Sequence, residues 1–158
     1  MTIHTAEFTN AIGKQADTEV VESLLRKLGV ERRITIGVDE TDTYINHTDA
    51  GVSLLFESES YVSAKYHVGF PSDAPVLTAI FLYGPGHDEF SAFEGAFPGG
   101  LLLSDSREQA VSKLGRSAKF NADRNSEFWE FAGNIRFFVH YARGQGLIRL
   151  AQFGILRR

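Results

Sequence analysis

Residues 17–29 read Asp-Thr-Glu-Val-Val-Glu-Ser-Leu-Leu-Arg-Lys-Leu-Gly, and the tripeptide that ends this stretch, Lys27-Leu28-Gly29, recurs 86 positions later as Lys113-Leu114-Gly115. The apolar residues of the first stretch follow one another at helical spacing. Asp17 and Thr18 stand where an N-cap residue is expected. We therefore predict a helix that ends at the glycine, in the left-handed position that often follows a helix.

A second helix is predicted before the second copy of the tripeptide. Ser106 is followed three residues later by Gln109, which is the spacing of a capping box. Apolar residues continue to Leu114, and Gly115 again marks the end. The two copies thus predict two helices in corresponding positions.

Downstream of each helix, the sequence predicts matching strands. Residues 51–56 lie opposite residues 134–139 at a shift of 83, and both stretches are rich in β-branched and aromatic residues. Tyr44-Ile45 precedes the first, and Phe128-Trp129-Glu130-Phe131 precedes the second. The residues between them, 47–51 and 132–134, have the composition of hairpin turns.

A third strand is predicted in each half, where residues 77–84 match residues 147–154 at a shift of 70 and Tyr83 lies opposite Phe153. Each unit then reads helix, strand, strand, strand. This order predicts an α+β fold of two tandem helix-plus-antiparallel-sheet units, with the helices on one face of the sheets. We place the units at residues 1–86 and 87–158, with the junction in the Gly- and Pro-rich stretch 84–95, and the two can pack as one compact domain. A chance likeness between two ordinary α+β segments is the alternative.

The shifts of 83 and 70 place 13 additional residues between the second and third strands of the first unit. This insertion falls within residues 57–75 and includes Tyr61, Tyr66 and Phe70. Alternation of residue types from Tyr61 to Val68 predicts longer strands or an extra strand, closed by a turn at residues 70–73.

The bulk composition excludes several classes of protein. The 158 residues contain no cysteine, so disulfides and thiolate metal sites are excluded. The first ten residues lack the pattern of a secretion signal, and no apolar run is long enough to span a membrane, so we expect a cytoplasmic protein. A net charge of −4 and a pI near 5.7 argue against nucleic acid and favour a cationic partner.

No arrangement of residues predicts catalysis, a metal site or a cofactor. Gly144-Gln145-Gly146 runs into a predicted strand instead of a helix, so we interpret it as a hairpin turn and not as a phosphate loop. The five histidines lack the spacing of a zinc site. We therefore expect a chain that is not an enzyme.

Two regions are candidates for partner binding. The acidic stretch that contains Asp39, Glu40 and Asp42 is either a solvated edge or a rim that faces a cationic partner. Alternation in the second half places Arg136, Phe138 and His140 on the strand face opposite the helix, unless the two halves bury these faces against each other. Exposed aromatic residues with polar neighbours are typical of protein interfaces. The predicted partner-binding residues are Asp39, Glu40, Asp42, Tyr61, Tyr66, Phe70, Arg136, Phe138 and His140.

The order of elements resembles a known fold. The second half contains a helix that ends in Leu-Gly, a strand that carries Trp129, a Gly/Asn turn and two further strands. This order resembles the repeating unit of the β-lactamase-inhibitor-protein-like fold. BamE-type lipoproteins contain a single copy of that unit. The tandem resemblance covers Phe8 through Phe153. It implies a binding protein, and the stretch Phe97-Pro98-Gly99-Gly100-Leu101 looks like those of bacterial toxin immunity proteins. This chain departs from the pattern because it lacks the cysteines of the secreted inhibitors and the lipid-anchoring cysteine of the lipoproteins.

These observations lead to one functional hypothesis and two alternatives. The hypothesis is a protein-binding inhibitor, most specifically a bacterial immunity protein of a toxin–antitoxin type that occludes a basic or enzymatic toxin domain. The first alternative is a small-molecule binding module with a pocket between two sheets, lined by Phe81, Tyr83, Trp129 and Phe138. The second is a structural homodimer that pairs through its sheets.

Overall fold

A single antiparallel sheet of seven strands organises the fold, in a computed structural model that describes residues 3–87, 89–143 and 147–155. The strand order is β1-β2-β3-β7-β6-β5-β4. With its helices, the chain is an α+β protein, as predicted. The elements in chain order are α1 (Thr5–Ala11), α2 (Glu19–Lys27), β1 (Asp42–His47), β2 (Val52–Glu57), α3 (Glu59–Tyr66), β3 (Val76–Tyr83), a short 3₁₀ turn (Pro98–Gly100), α4 (Arg107–Leu114), β4 (Lys119–Asn121), β5 (Ser126–Phe131), β6 (Ile135–Tyr141) and β7 (Ile148–Ile155).

The core lies between one face of this sheet and the helices α1, α2 and α4. Phe8 of α1, Leu24 of α2 and Ala110 of α4 join a single apolar cluster with alternate residues of the central strands. The rings of Phe8 and Phe153 lie 5.9 Å apart. We call the surface of the sheet that packs against α1, α2 and α4 the helix face. Because strand side chains alternate, every second strand residue is left on the opposite face.

The predicted helix ends are partly confirmed. Ser106 and Gln109 form the predicted capping box, in which the Ser106 hydroxyl accepts from the Gln109 amide and the Gln109 side chain accepts from the Ser106 amide. Thr18 is the N-cap residue of α2, but its hydroxyl donates to the Gln15 carbonyl and does not cap the helix. Gly29 has the expected positive φ of 73°. Gly115 also has a positive φ, yet its ψ of −170° is extended, so the left-handed helical position predicted there is wrong.

The strands predicted within the insertion at residues 57–75 are wrong, because residues 59–66 form the helix α3. The Ser58 hydroxyl accepts a hydrogen bond from the Tyr61 amide and caps the helix. Val62 is the only buried residue of α3, so neither a helical nor a strand pattern of apolar residues marks the segment. The left-handed His67 then ends the helix, and bends at residues 71–73 lie where a turn was predicted.

The alignment of the third strands at a shift of 70 is also wrong. Val52 and Ile135 are equivalent in the predicted alignment of the second strands. Val52 pairs with Leu82 of β3 and Ile135 pairs with Ile155 of β7, so the third strands correspond at a shift of 73 (155 minus 82). At a shift of 70, Tyr83 would correspond to Phe153, but Phe153 lies on the helix face and Tyr83 on the opposite one. That the two halves are copies of one unit, divided near residue 86, stays a prediction.

The two halves meet edge to edge within one sheet. β3 pairs with β7 from Ala79–Gly154 to Tyr83–Leu150, which makes the sheet continuous through both halves. A pocket between two sheets therefore does not form among the described residues. Trp129 lies on the helix face, where its indole donates to the Gly115 carbonyl, whereas Phe81 lies on the opposite face. The turn predicted at residues 144–146 lies outside the described residues.

A buried polar cluster fixes β5 and β6 to the start of α4. The side chain of Glu127 is fully buried on the helix face, and its Oε2 atom accepts from the Tyr141 hydroxyl at 2.6 Å. Arg107 Nε lies 3.3 Å from the same oxygen. Burial, followed by the hydrogen bond to Glu127, raises the pKa of Tyr141, so the phenol keeps its proton and donates it to the carboxyl group.

We expect Tyr141→Phe to lower the free energy of unfolding by about 1–3 kcal/mol, because it removes the donor to a buried carboxyl group. Tyr44→Phe is the matched control, since Tyr44 is 51% exposed and its hydroxyl makes no hydrogen bond in the described structure; its effect should stay within about 0.5 kcal/mol. Urea unfolding at pH 7 measures both. Equal losses in the two variants would contradict a stabilising role for the buried pair.

Candidate protein-binding site

The sheet surface opposite α1, α2 and α4, which we call the open face, carries a band of aromatic residues. Its members follow from the strand register: Tyr44, Leu55, Phe81, Tyr83, Leu150, Gln152, Phe138, His140, Arg136, Phe128 and Glu130. Tyr44 is exposed and the other aromatic residues are half-buried. This band crosses the sheet from β1 to β5.

An arginine stacked on two phenylalanines forms the part of the band on β5 and β6. Phe128 and Phe138 are cross-strand partners with ring centres 5.1 Å apart. The guanidinium carbon of Arg136 lies 4.2 Å from the centre of the Phe128 ring and 5.5 Å from that of Phe138. Arg136 makes no ion pair within the described residues, and its Nε atom is buried without a hydrogen-bond partner. We call Arg136, Phe128 and Phe138 the arginine stack.

His140 extends the arginine stack along β6. Its ring is stacked with that of Phe138, with centres 6.2 Å apart and planes 20° apart. Burial, and then the positive charges of Arg124 and Arg149, lower the pKa of His140. The imidazole is therefore neutral at pH 7, which suits its contact with an aromatic ring.

A second aromatic group lies on β3 and β1. Tyr83 is stacked on Phe90 with ring centres 3.9 Å apart, and its hydroxyl donates to Ser53 at 3.3 Å. The ring centre of Phe81 lies 6.3 Å from that of Tyr44 on β1. Burial, followed by the negative charge of Asp42, raises the pKa of Tyr44.

The structure brings together only some of the predicted partner-binding residues. Arg136, Phe138 and His140 share the open face, as the alternation predicted. Asp42 lies on the same face at the β1 edge, opposite Glu57. Because β1 and β6 are four strand spacings apart, the strands that carry Asp42 and Arg136 are separated by roughly 19 Å. Asp39 and Glu40 are exposed just before β1.

Tyr61, Tyr66 and Phe70 form a third group on and after α3. Lys65 lies over both tyrosine rings, at 5.3 Å from the centre of Tyr61 and 5.5 Å from that of Tyr66. Tyr61 is 38% exposed, and Phe70 is half-buried. Their place in a binding site stays a prediction.

The prediction missed several members of the open face, although a signal for them was present. Phe128 and Tyr44 each precede a helix-face residue of the same strand, Trp129 and Ile45, so alternation alone assigns them to the opposite face. Their contacts with residues of neighbouring strands depend on register, which the sequence does not show. Gln152 and Leu150 join the open face because they pair with Phe138 and His140, which only the strand register shows.

Other kinds of site receive no support from the described residues. In residues 3–87, 89–143 and 147–155, no group of three or more His, Asp or Glu side chains could hold a metal ion. No helix among the same residues is both long and apolar enough to cross a membrane.

Because the folded-state pKa of His140 lies below its ordinary value of about 6.5, protonation of this residue favours the unfolded chain. His140 therefore leaves the free energy of unfolding unchanged above about pH 6.5 and lowers it as the pH falls below that value. We expect His140→Gln to lose less stability than the wild type between pH 7.5 and pH 5.5. Urea midpoints at both pH values test this, and midpoints between pH 7.5 and 8.5 provide the flat control. Parallel losses in the two proteins at acid pH would contradict it.

Comparison of the chain with models of protein families, with curated proteins and with solved structures finds no significant match.

Proposed function

We propose that the chain is a protein-binding inhibitor that covers a surface of its partner with the open face of the sheet. In its most specific form, the proposal is a cytoplasmic immunity protein that neutralises a bacterial toxin by occlusion. The aromatic band supports it, because interface energies are concentrated in Tyr, Trp and Arg side chains and large exposed apolar surfaces mark binding sites. No residue of the aromatic band belongs to the apolar core cluster.

The arginine stack is the observation that carries the proposal. The Phe128 ring fixes the guanidinium group of Arg136 on the open face, and no acidic side chain of the described residues neutralises it. Glu130 lies directly opposite Arg136 in the register but forms no ion pair with it. A planar guanidinium held in this way can bind a carboxylate through two hydrogen bonds. We therefore expect an acidic group of the partner to contact Arg136.

The acidic edge at β1 supports a different contribution to binding. Asp39, Glu40 and Asp42 form no ion pairs among the described residues, and all three are exposed. Exposed charges of one sign accelerate association with a partner of the opposite sign more than they strengthen the final complex. Four strand spacings separate this edge from the arginine stack, so the open face suits a partner with basic and acidic regions roughly 19 Å apart.

The first test uses a matched pair of phenylalanine variants. Phe128 lies under Arg136 on the open face, and Phe120 lies under Arg107 with ring–guanidinium distances of 4.2 and 4.0 Å. Phe120 is across from Glu127 and therefore belongs to the helix face. A partner is first captured from host lysate with the wild-type protein and identified. We expect Phe128→Ala and Arg136→Ala to weaken its binding at least tenfold, and Phe120→Ala to change it less than threefold.

Titration calorimetry or surface plasmon resonance with the purified partner provides the dissociation constants, after thermal unfolding has shown that each variant folds. The proposal fails if the open-face variants bind as tightly as Phe120→Ala. It also fails if all three variants lose binding to the same extent.

The second test addresses the acidic edge. Reversal of charge at Asp39, Glu40 and Asp42 to Lys should slow association with a partner that is basic at this edge by about tenfold at low salt, with little change in dissociation. The control reverses the exposed acids Glu94, Glu108 and Asp123, which produces the same change in net charge. Stopped-flow rates across ionic strength measure both variants. Equal slowing would assign the effect to net charge and exclude the edge.

A further inference from the structure

The segment between α2 and β1 has the sequence of a strand but pairs with no strand of the described residues. Residues 33–38 read Arg-Ile-Thr-Ile-Gly-Val, in which β-branched residues predominate. Within the described structure, the backbone of residues 31–38 takes part in a single backbone–backbone hydrogen bond, which the Glu40 amide donates to the Gly37 carbonyl. The backbone groups of residues 31–36 take part in none. We call residues 31–38 the arc.

Burial alternates along the first part of the arc, as it does along a paired strand. Ile34 is 5% exposed and belongs to the main core, whereas its neighbours Arg33 and Thr35 are exposed. Ile36 is half-buried, and Val38 is fully exposed. The core therefore holds the arc at Ile34, while most of its backbone faces water. Backbone groups of the arc that lack a protein partner bond to water, and a neighbouring strand would replace that water with ladder hydrogen bonds.

A groove runs along the arc on the side of α2. Its volume is about 880 Å³, and all eight arc residues line it. Leu25 and Arg26 of α2 and the stretch Asp73-Ala74-Pro75 before β3 also line it. The arc therefore shares a solvent-open space with both apolar and charged side chains.

The groove is also lined by charged side chains that are not used within the fold. The side chains of Arg26, Arg32 and Arg33 form no ion pair or hydrogen bond among the described residues, and neither do those of Glu31 and Glu40. Both signs are present, so net charge does not select the ligand. The unpaired backbone of the arc does select one, because an extended polypeptide is the ligand that complements a row of amide and carbonyl groups.

We propose that the groove binds an extended segment of the partner protein, which adds to the arc as a strand. This inference rests on the proposed function, because it assigns to the same partner a second contact outside the open face. Main-chain hydrogen bonds to residues 33–37 hold the segment. The side chains of Ile36 and Val38 and the charged groups of the walls then select its sequence.

A phage-displayed library of random twelve-residue peptides, panned against the full chain, tests this inference without the natural partner. Enriched peptides should slow amide hydrogen exchange at residues 33–38. The two alternating sets of peptide amides are N-methylated separately, and one set should abolish binding because its N–H groups are the donors that face the arc. Thr35→Pro removes an unpaired backbone donor of the arc and should weaken the peptides at least tenfold, whereas Thr35→Ala keeps that donor and should change binding less than threefold.

Several outcomes would overturn the inference: no enrichment, protection confined to the open face, or full affinity with both N-methylated sets. These results leave the proposed function standing if Phe128→Ala still weakens binding of the captured partner. Conversely, peptides that protect the arc while Phe128→Ala and Arg136→Ala leave partner binding unchanged would support the groove and reject the open face.

Discussion

The antiparallel pairing of β3 with β7 joins the two halves of the chain into one sheet, and this register determines both of its faces. Ile80 and Phe153 lie directly opposite each other, and both are fully buried on the helix face. At the end of β3 the backbones approach so closely that a Cβ atom on Gly84 would lie 2.1 Å from the Ile148 carbonyl oxygen. A slip of one residue in β7 would turn Phe153 to solvent and bury Gln152. The apolar core and the aromatic band therefore depend on the same register.

Local sequence patterns predicted most of the strands because their physical cause is also local. Alternation in β6 separates Ile135, Phe137 and Val139 from Arg136 and Phe138, and the structure confirms this separation. The prediction failed where several short signals compete. Residues 59–66 have only one buried side chain, so no apolar pattern predicts the helix that they form. The side-chain cap at Ser58 is the local feature that favours it. The alignment of the third strands failed because identities at a few positions do not reveal register, which depends on pairing between distant strands.

The candidate site was predictable to the same extent. The sequence places Arg136, Phe138 and His140 on one face, since they are two residues apart on one strand. It does not show that Phe128 lies across from Phe138, or that Arg136 stacks on Phe128, because these contacts join different strands. The acidic residues near β1 were predicted as exposed and are exposed, but their distance from the arginine stack follows only from the strand order. The arc was not predicted as a site, because a run of β-branched residues does not show whether its backbone is paired; only the structure shows that it pairs with no strand of the described residues.

Folding stability does not account for the arginine stack. An unpaired buried donor such as Nε of Arg136 costs about 1–3 kcal/mol, whereas exposed contacts between a guanidinium group and an aromatic ring contribute about 0.5–1 kcal/mol each. The two ring contacts of Arg136, together worth about 1–2 kcal/mol, offset that cost without a clear surplus. The residue is therefore close to neutral for the fold, and an aliphatic side chain at position 136 would serve the sheet as well. A partner carboxylate would instead use the guanidinium group that the two rings already hold in place, so binding would lose little side-chain entropy. The arc has the same character, since its core contact at Ile34 fixes a strand-forming backbone that the fold itself does not pair. Both features are held in place by the fold and left unpaired by it, which is the condition that favours binding of a second molecule.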